Sequence, residues 1–100
     1  MDLFLRRVIH PQAHDNYRVH FKDDGVEIEV GSIGIQLGNG TAEGWVWGID
    51  NIVRMREADS HGTGNDRKDC MLQFRAAWDR FSSDPARLTE FLKVKRRRPR

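Results

Sequence analysis

The sequence predicts a one-domain α+β fold: an antiparallel meander of four or five strands, followed by one long and one short C-terminal helix packed on one face. Three observations predict this class. Apolar and polar residues alternate through residues 17–37, as they do in half-buried strands. Apolar residues then recur at three- and four-residue intervals through residues 65–82, as on one face of a helix. The chain of 100 residues is large enough for one hydrophobic core and too small for two.

Residues 1–16 form an N-terminal region for which the sequence leaves two arrangements open. Leu3-Phe4-Leu5 and Val8-Ile9 are short apolar runs, and Pro11 ends whichever element contains them. An edge strand of the sheet would bury these side chains on the protein's own core. An arm that packs against a second copy of the chain would bury them in a homodimer.

The first predicted turn is Asp24-Gly25, a residue pair that favours a two-residue type I′ hairpin. The register that this turn sets gives one apolar face and one charged face, which supports the pairing. Its cross-strand pairs are Phe21 with Ile28 and Val19 with Val30 on the apolar face, and Lys22 with Glu27 and His20 with Glu29 on the other.

A second turn is predicted at Gly31-Ser32, where a glycine in the first position favours type II′. The expected pairs across it are Val30 with Ile33, Ile28 with Ile35, and Val26 with Leu37. A glycine-rich connection over residues 38–44 leads to a fourth strand, in which Trp45, Trp47 and Ile49 would lie beside Leu37, Ile35 and Ile33. Residues 52–55 are predicted to continue or add a strand, and residues 56–64 to form a loop.

The long helix is predicted over residues 65–82, with Thr63 or Asn65 as its N-cap. The short helix begins with Asp84 as N-cap and Pro85 in its first turn. The apolar stripes are Cys70, Phe74, Ala77, Trp78 and Phe81 on the long helix, and Leu88, Phe91 and Leu92 on the short one. Because the sheet and the helices must cover each other's apolar faces, the tryptophans are expected in a buried core rather than in a base-stacking platform. The expected cluster is Trp45, Trp47 and Trp78.

A meander that ends in a W-x-W-x-I strand and is followed by a helix resembles the apetala/ethylene-response-type and integrase arm-type DNA-binding domains, over residues 17–82. The resemblance implies DNA contact through the solvent face of the sheet. Here that face would carry Glu27, Glu29 and Asp50, whose carboxylates oppose phosphates, so no DNA-contact residue is transferred. The motifs WGID and FRAAWDRF are also similar to small conserved proteins of alphaproteobacteria, a resemblance that implies no activity.

Residues 93–100 differ in charge from the rest of the chain. They hold six of the 17 basic residues and no acid, whereas residues 1–92 carry 11 basic and 15 acidic side chains, a net charge of about −4. We expect residues 1–92 to form the globular domain and residues 93–100 a disordered basic tail. The tail either solubilises the chain or weakly attracts the phosphate backbone of nucleic acid. The candidate nucleic-acid-binding residues are Lys93, Lys95, Arg96, Arg97, Arg98 and Arg100.

The sequence gives little support to a catalytic or metal site. His10 and His14 have helical spacing, but Pro11 disfavours a helix there, and no C-x-x-C or H-E-x-x-H spacing occurs. Cys70 lies on the helix stripe and is predicted to be a small buried hydrophobic residue. We therefore expect no enzyme activity, no cofactor and no metal.

Composition limits the cellular location and the kinds of partner that the sequence allows. The chain is 38% hydrophobic and 32% charged, and it lacks a secretory signal. It has no apolar run of the ~20 residues that a membrane span needs. A lone cysteine suits a reducing compartment, so a cytoplasmic protein is expected. The sequence predicts a small non-enzymatic protein-interaction module, with a protein partner or a homodimer and no membrane. The alternative is a weak nucleic-acid-associated protein that binds through the basic tail.

Overall fold

The computed structural model describes residues 2–8, 16–37 and 43–97, and these ranges contain a five-stranded sheet and three helices. The strands are β1 (Leu3–Arg7), β2 (Asn16–Asp23), β3 (Val26–Leu37), β4 (Glu43–Ile49) and β5 (His61–Gly64), and the helices are α1 (Glu57–Ser60), α2 (Arg67–Ser82) and α3 (Pro85–Arg97). All neighbouring strands are antiparallel, in the order β1-β2-β3-β4-β5. The predicted α+β class and antiparallel meander are confirmed. Within the described ranges, no helix has the length and apolarity to cross a membrane.

Strand β1 lies at one edge of the sheet and pairs with β2 in a register that sets Leu3 opposite Phe21. Leu3 is buried, and Leu5 packs against the core. Of the two arrangements expected for the N-terminal region, the structure therefore has the edge strand. Residues 9–15 lie outside the described residues.

The β2–β3 hairpin turns at Asp24-Gly25, as predicted. Both residues have positive φ, 53° for Asp24 and 81° for Gly25, as a type I′ turn requires. The predicted pairs next to the turn form, namely Phe21 with Ile28, Lys22 with Glu27 and His20 with Glu29. Beyond them the register shifts, so that Val19 lies opposite Gly31 instead of Val30. Val30 is the extra residue of this bulge and has no partner in β2. The alternation of side chains between the two faces of β3 therefore shifts by one residue, and Val30 and Ile33 both face the core.

The second predicted turn is wrong, because β3 runs without interruption through Gly31-Ser32 to Leu37. Residues of one strand do not face each other across a turn, so the pairs expected there do not form. Gly31 serves close packing instead. A Cβ at this position would lie 2.5 Å from Cε2 of Phe74 and 2.2 Å from the carbonyl oxygen of Gly48. The glycine therefore lets α2 and β4 approach β3.

Strand β4 carries Trp45 and Trp47 on the face of the sheet that the helices cover. They lie opposite Ile35 and Ile33, respectively. This register is two residues away from the expected one, because β4 already begins at Glu43, inside the segment expected to be the connection, and Glu43 rather than Trp45 lies opposite Leu37.

The segment between β4 and α2 differs from both expectations for it. Residues 52–55 are not a strand, but their apolar side chains pack half-buried against the core. Residues 56–64 are not a loop, since they form α1 and β5, and β5 is the second edge of the sheet. The indole of Trp47 lies across Gly62 in β5, where a Cβ would be 2.7 Å from Nε1.

Helix α2 begins at Arg67, and its N-cap is Asp66, whose Oδ1 accepts a hydrogen bond from the Asp69 amide at 2.7 Å. The expected N-cap at Thr63 or Asn65 is wrong, because Thr63 belongs to β5 and the helix starts after the turn that follows it. The apolar stripe is as predicted, and its buried residues are Cys70, Phe74, Ala77, Trp78 and Phe81.

Helix α3 starts as predicted, with Asp84 ahead of Pro85. Oδ1 of Asp84 accepts a hydrogen bond from the Ala86 amide at 3.1 Å. The helix continues to Arg97, so it has 13 residues against 16 in α2. The disordered tail expected from residue 93 onward is therefore wrong for residues 93–97, whereas residues 98–100 lie outside the described residues. Cations are favourable at a helix C-terminus, which is a local reason for the basic residues to remain helical.

One aromatic cluster joins the sheet to α2 and α3. Trp78 is fully buried, and its ring centroid lies 5.6 Å from that of Phe21, 5.7 Å from Phe81 and 5.3 Å from Phe91. Phe21 comes from β2 and Phe91 from α3, so a single indole contacts three elements of the core including its own. Aromatic pairs of this geometry add to the free energy of burial.

The other two tryptophans extend the same core. Trp47 is buried, its ring centroid lies 5.9 Å from that of Phe74, and its Nε1 donates to Oε1 of Gln73 at 3.0 Å. Trp45 packs against the core but is only half-buried. The expected buried cluster is therefore confirmed for Trp47 and Trp78, and in part for Trp45.

We expect Gly31→Ala to lower the free energy of unfolding by about 1–3 kcal/mol, because the new methyl group overlaps Phe74 and the backbone of Gly48. Gly44→Ala is the matched control, since no atom lies within 4 Å of a Cβ built on that strand glycine. Urea denaturation followed by tryptophan fluorescence measures both. Equal stability of the two variants would contradict the assignment of Gly31 to close packing.

Candidate interaction surfaces

Helix α3 ends in the basic residues that the sequence indicates. Lys93, Lys95, Arg96 and Arg97 lie in its last turns, and Arg98 and Arg100 lie outside the described residues. Residues four apart share one side of a helix, so Lys93 and Arg97 point the same way and Lys95 points away from them. The basic residues at the end of α3 therefore lie on different sides of the helix and have different neighbours.

Lys95 turns toward the sheet and pairs with Asp50, with 2.5 Å between Nζ and Oδ2. Only 14% of the Lys95 side chain is exposed, and Nζ also lies 5.9 Å from the ring centroid of Phe91. Arg18 reaches the same carboxylate oxygen from β2, at 2.6 Å. Asp50 directly follows β4, so one carboxylate links β2, β4 and α3.

Arg96 pairs with Asp23, the last residue of β2, beside the hairpin turn. Both side chains are partly exposed, at 50% and 33%, so this ion pair positions the helix end against the hairpin and adds little free energy. Two of the four cations among residues 93–97 are thus balanced, Lys95 by Asp50 and Arg96 by Asp23.

Lys93 and Arg97 remain on the solvent side of α3. Both are exposed, and neither forms an ion pair with another described residue. They line a cleft of about 440 Å³ at the β2–β3 hairpin, whose other lining residues are Asp23, Thr89, Leu92 and Arg96. Three cations and one carboxylate surround this cleft, so its rim has a net positive charge.

The sheet face away from the helices carries a layer of opposite charges. Arg6 in β1 donates two hydrogen bonds to Glu27 in β3, at 2.7 Å from Nε and 2.5 Å from Nη2. Arg18 lies 3.3 Å from Glu29 in addition to its contact with Asp50. Since these three carboxylates have cationic partners, this face has little unbalanced charge with which to attract a phosphate backbone.

His20 is buried within this layer, with 5% of its surface exposed. Its ring stacks on Phe4, with the centroids 5.7 Å apart and the planes at 25°. Nδ1 lies 3.0 Å from Oε2 of Glu27, although no hydrogen bond forms. Burial lowers the pKa of His20 and outweighs the attraction of Glu27 and Glu29, which acts to raise it. The imidazole is therefore neutral at neutral pH.

We expect acid to destabilise the fold from about pH 6.5 downward through His20. Because the pKa of His20 is lower in the folded chain than in the unfolded chain, the unfolded chain takes up the proton first. The free energy of unfolding then falls as the pH drops through the unfolded-state pKa, and this loss ends below the folded-state pKa. The hydrogen bonds from Arg6 lower the pKa of Glu27, which acts in the same direction at more acidic pH.

Urea denaturation at about pH 7.5 and about pH 5.5 measures this loss. His20→Gln removes the titrating group, so the variant should show a smaller difference between the two pH values than the wild type does. A pH difference of the same size in His20→Gln would assign the acid sensitivity to another group.

The free edge of β1 is a second candidate surface. The amide of Val8 donates to the carbonyl of Asn16 at 2.8 Å, which shows that even-numbered positions of this strand direct their backbone groups toward β2. The backbone N–H and C=O of Leu3 and Leu5 consequently point away from β2. Among the described residues, β1 pairs with no strand on that side.

The other candidate side chains do not assemble into a site. His61 is exposed, and its Nδ1 lies 2.9 Å from Oγ of Ser60. Cys70 is fully buried, and burial raises the pKa of its thiol, which disfavours the nucleophilic thiolate. The described ranges contain no group of three or more His, Cys, Asp or Glu residues placed to hold a metal ion. His10 and His14 lie outside those ranges.

Comparisons with protein-family models, with curated proteins and with solved structures find no match to this chain. The geometry of the described residues indicates two candidate interaction surfaces. They are the free edge of β1 and the solvent side of the end of α3.

Sequence reasoning missed that Asp50 anchors α3. A signal for this role was present, because Asp50 directly follows the last apolar residue of β4, where the chain leaves the sheet. The helical end of α3 also had a signal, since Val94 follows Phe91 by three positions and continues the apolar stripe into the basic segment. Val94 is half-buried in the structure.

We expect Lys95→Gln to lower the free energy of unfolding by about 1 kcal/mol, because the half-buried carboxylate of Asp50 loses one of its two cations. Lys93→Gln is the control on the solvent side of the same helix, and a change below about 0.5 kcal/mol is expected for it. A double-mutant cycle of Lys95→Gln with Asp50→Asn isolates the pair. A coupling free energy of zero would show that the contact contributes nothing.

Proposed function

We propose that the protein is a small non-enzymatic protein-interaction module that associates with a second copy of itself through the free edge of β1. The observation that supports this proposal is the position of β1, an edge strand whose outer backbone groups have no strand partner among the described residues. Such an edge is a template for pairing with another strand.

The sequence of β1 suits antiparallel pairing with its own copy. A two-fold axis at Leu5 would set the two Leu5 residues opposite each other, and their outward N–H and C=O groups would exchange two hydrogen bonds. Phe4 would then lie opposite Arg6 of the second copy. This arrangement keeps like charges apart and brings a guanidinium beside an aromatic ring, as already occurs within the chain, where Arg6 lies 5.6 Å from the Phe4 centroid.

The other edge is less suited to pairing. Strand β5 has four residues against five in β1, and α1 directly precedes it and contacts it. A continuous sheet across two copies would therefore form at β1. An interface made by one short strand buries less than the roughly 1,200 Å² of a stable complex, so the association is weak and depends on protein concentration.

The cytoplasm is the proposed setting. The single cysteine, Cys70, is a buried free thiol, and proteins without disulfides are typical of reducing compartments.

We expect sedimentation velocity of the full chain to show a monomer at low concentration and a dimer at high concentration. Leu5→Pro should abolish the dimer, because proline removes the outward N–H at the two-fold axis and leaves the β1–β2 hydrogen bonds in place. Leu5→Val is the matched control, since it keeps the N–H and favours a strand. Circular dichroism checks that both variants are folded.

Two outcomes would overturn the proposed dimer. One is a wild-type chain that remains monomeric at the highest concentration reached. The other is a folded Leu5→Pro variant that dimerises as strongly as Leu5→Val, which would place the interface elsewhere.

A further inference from the structure

The solvent side of the end of α3 carries positive charge that the described carboxylates do not balance. Lys93 and Arg97 are one helical turn apart, about 6 Å along the axis. Both are exposed, and neither has an ion-pair partner among the described residues. Arg98 and Arg100 follow in the sequence, and no acid occurs between residues 91 and 100. Within the described residues, the helix therefore presents Lys93 and Arg97 as a row of two cations along its axis.

We propose that this row binds the phosphate backbone of nucleic acid, with Lys93 and Arg97 as its contact residues. Cations arranged along a line neutralise neighbouring phosphates and release their counterions, and they do so without reading the bases. Binding is therefore independent of sequence and strongly dependent on salt. The β1 edge takes no part, so this surface is separate from the proposed dimer interface.

The surroundings of the row favour a phosphate backbone over an acidic protein. Protein interfaces usually bury a central apolar or aromatic anchor. The exposed positions on this part of α3 are polar or charged, namely Thr89, Glu90, Lys93, Arg96 and Arg97. The net negative charge of residues 1–92 repels phosphates elsewhere, and the ion pairs of the open sheet face leave it little charge with which to attract them. Contact with nucleic acid is therefore confined to the end of α3.

The ion pairs divide the basic residues at the end of α3 into two groups, which their composition alone does not distinguish. Lys95 and Arg96 are positioning residues, because Asp50 and Asp23 offset their charges and hold the helix end on the sheet. Lys93 and Arg97 retain their charge for a ligand. Deleting residues 93–100 would remove both groups together, so point substitutions test the surface more cleanly than a truncation does.

The test uses the full chain and a short fluorescein-labelled DNA duplex of mixed sequence, with anisotropy titrations at several potassium chloride concentrations. The double variant Lys93→Gln/Arg97→Gln should bind more weakly at every salt concentration. The slope of log K against log salt should become less steep by about two, roughly one for each lost phosphate contact.

Two controls separate a local contact from a general charge effect. Lys68→Gln/Arg75→Gln removes the same net charge from exposed positions on α2 that form no ion pair with a described residue, and its slope should equal that of the wild type. Lys95→Gln should lower the midpoint of thermal unfolding and leave the slope unchanged, because Lys95 acts on the fold. Circular dichroism confirms that each variant is folded at the assay temperature.

Four results would overturn the proposal. The wild-type chain could fail to bind the duplex even at low salt. A folded Lys93→Gln/Arg97→Gln variant could keep the wild-type slope, which would place the contact elsewhere on the protein. Lys68→Gln/Arg75→Gln could make the slope less steep by the same amount, which would show that binding depends on the net charge of the protein and not on a local contact. Poly-glutamate could compete as well as unlabelled duplex at equal charge concentration, which would favour an acidic protein ligand.

Discussion

The burial of the Trp78 indole against Phe21 is the contact on which the other layers of the structure depend. It fixes α2 on the sheet, and Phe91 docks α3 against the same indole. The indole Nε1 is buried without a hydrogen-bond partner among the described residues, which is a cost that the packing of the ring surface must exceed. Truncation of such a residue to alanine costs ~3–5 kcal/mol, a large part of the stability of a small domain.

The sequence predicts the fold correctly where one local pattern allows one outcome. Asp24-Gly25 is such a pattern, since both positions need positive φ and few residue pairs provide it. The stripe of α2 is another, because its spacing fits only a helix. Gly31 is different, since a glycine suits both a turn and close packing, and only the distant side chain of Phe74 decides between them. The register of β4 depends instead on where the glycine-rich connection ends, and the pairing of Glu43 with Leu37 decides that.

The candidate surfaces depend on partners that are distant in the sequence. Composition identifies the cations of residues 93–97, but their availability depends on Asp50 and Asp23, which are 45 residues from Lys95 and 73 residues from Arg96. No local pattern in the basic segment reveals those pairings. The apolar run Leu3-Phe4-Leu5 predicts a short element at the position of β1. The sequence does not decide between an edge strand and an arm, because that choice depends on pairing with β2.

The position of α3 at the end of the described chain has a consequence for biosynthesis. The Phe91 ring that covers Trp78 and Phe81, and the Lys95 that reaches Asp50, are translated after every strand of the sheet and after α2. While residues 91–97 are still inside the ribosome, a nascent sheet and α2 would expose the aromatic surface that α3 later covers. Completion of the core therefore waits for release of the helix from the exit tunnel, and until then this surface is a site at which chaperones can bind or nascent chains can aggregate.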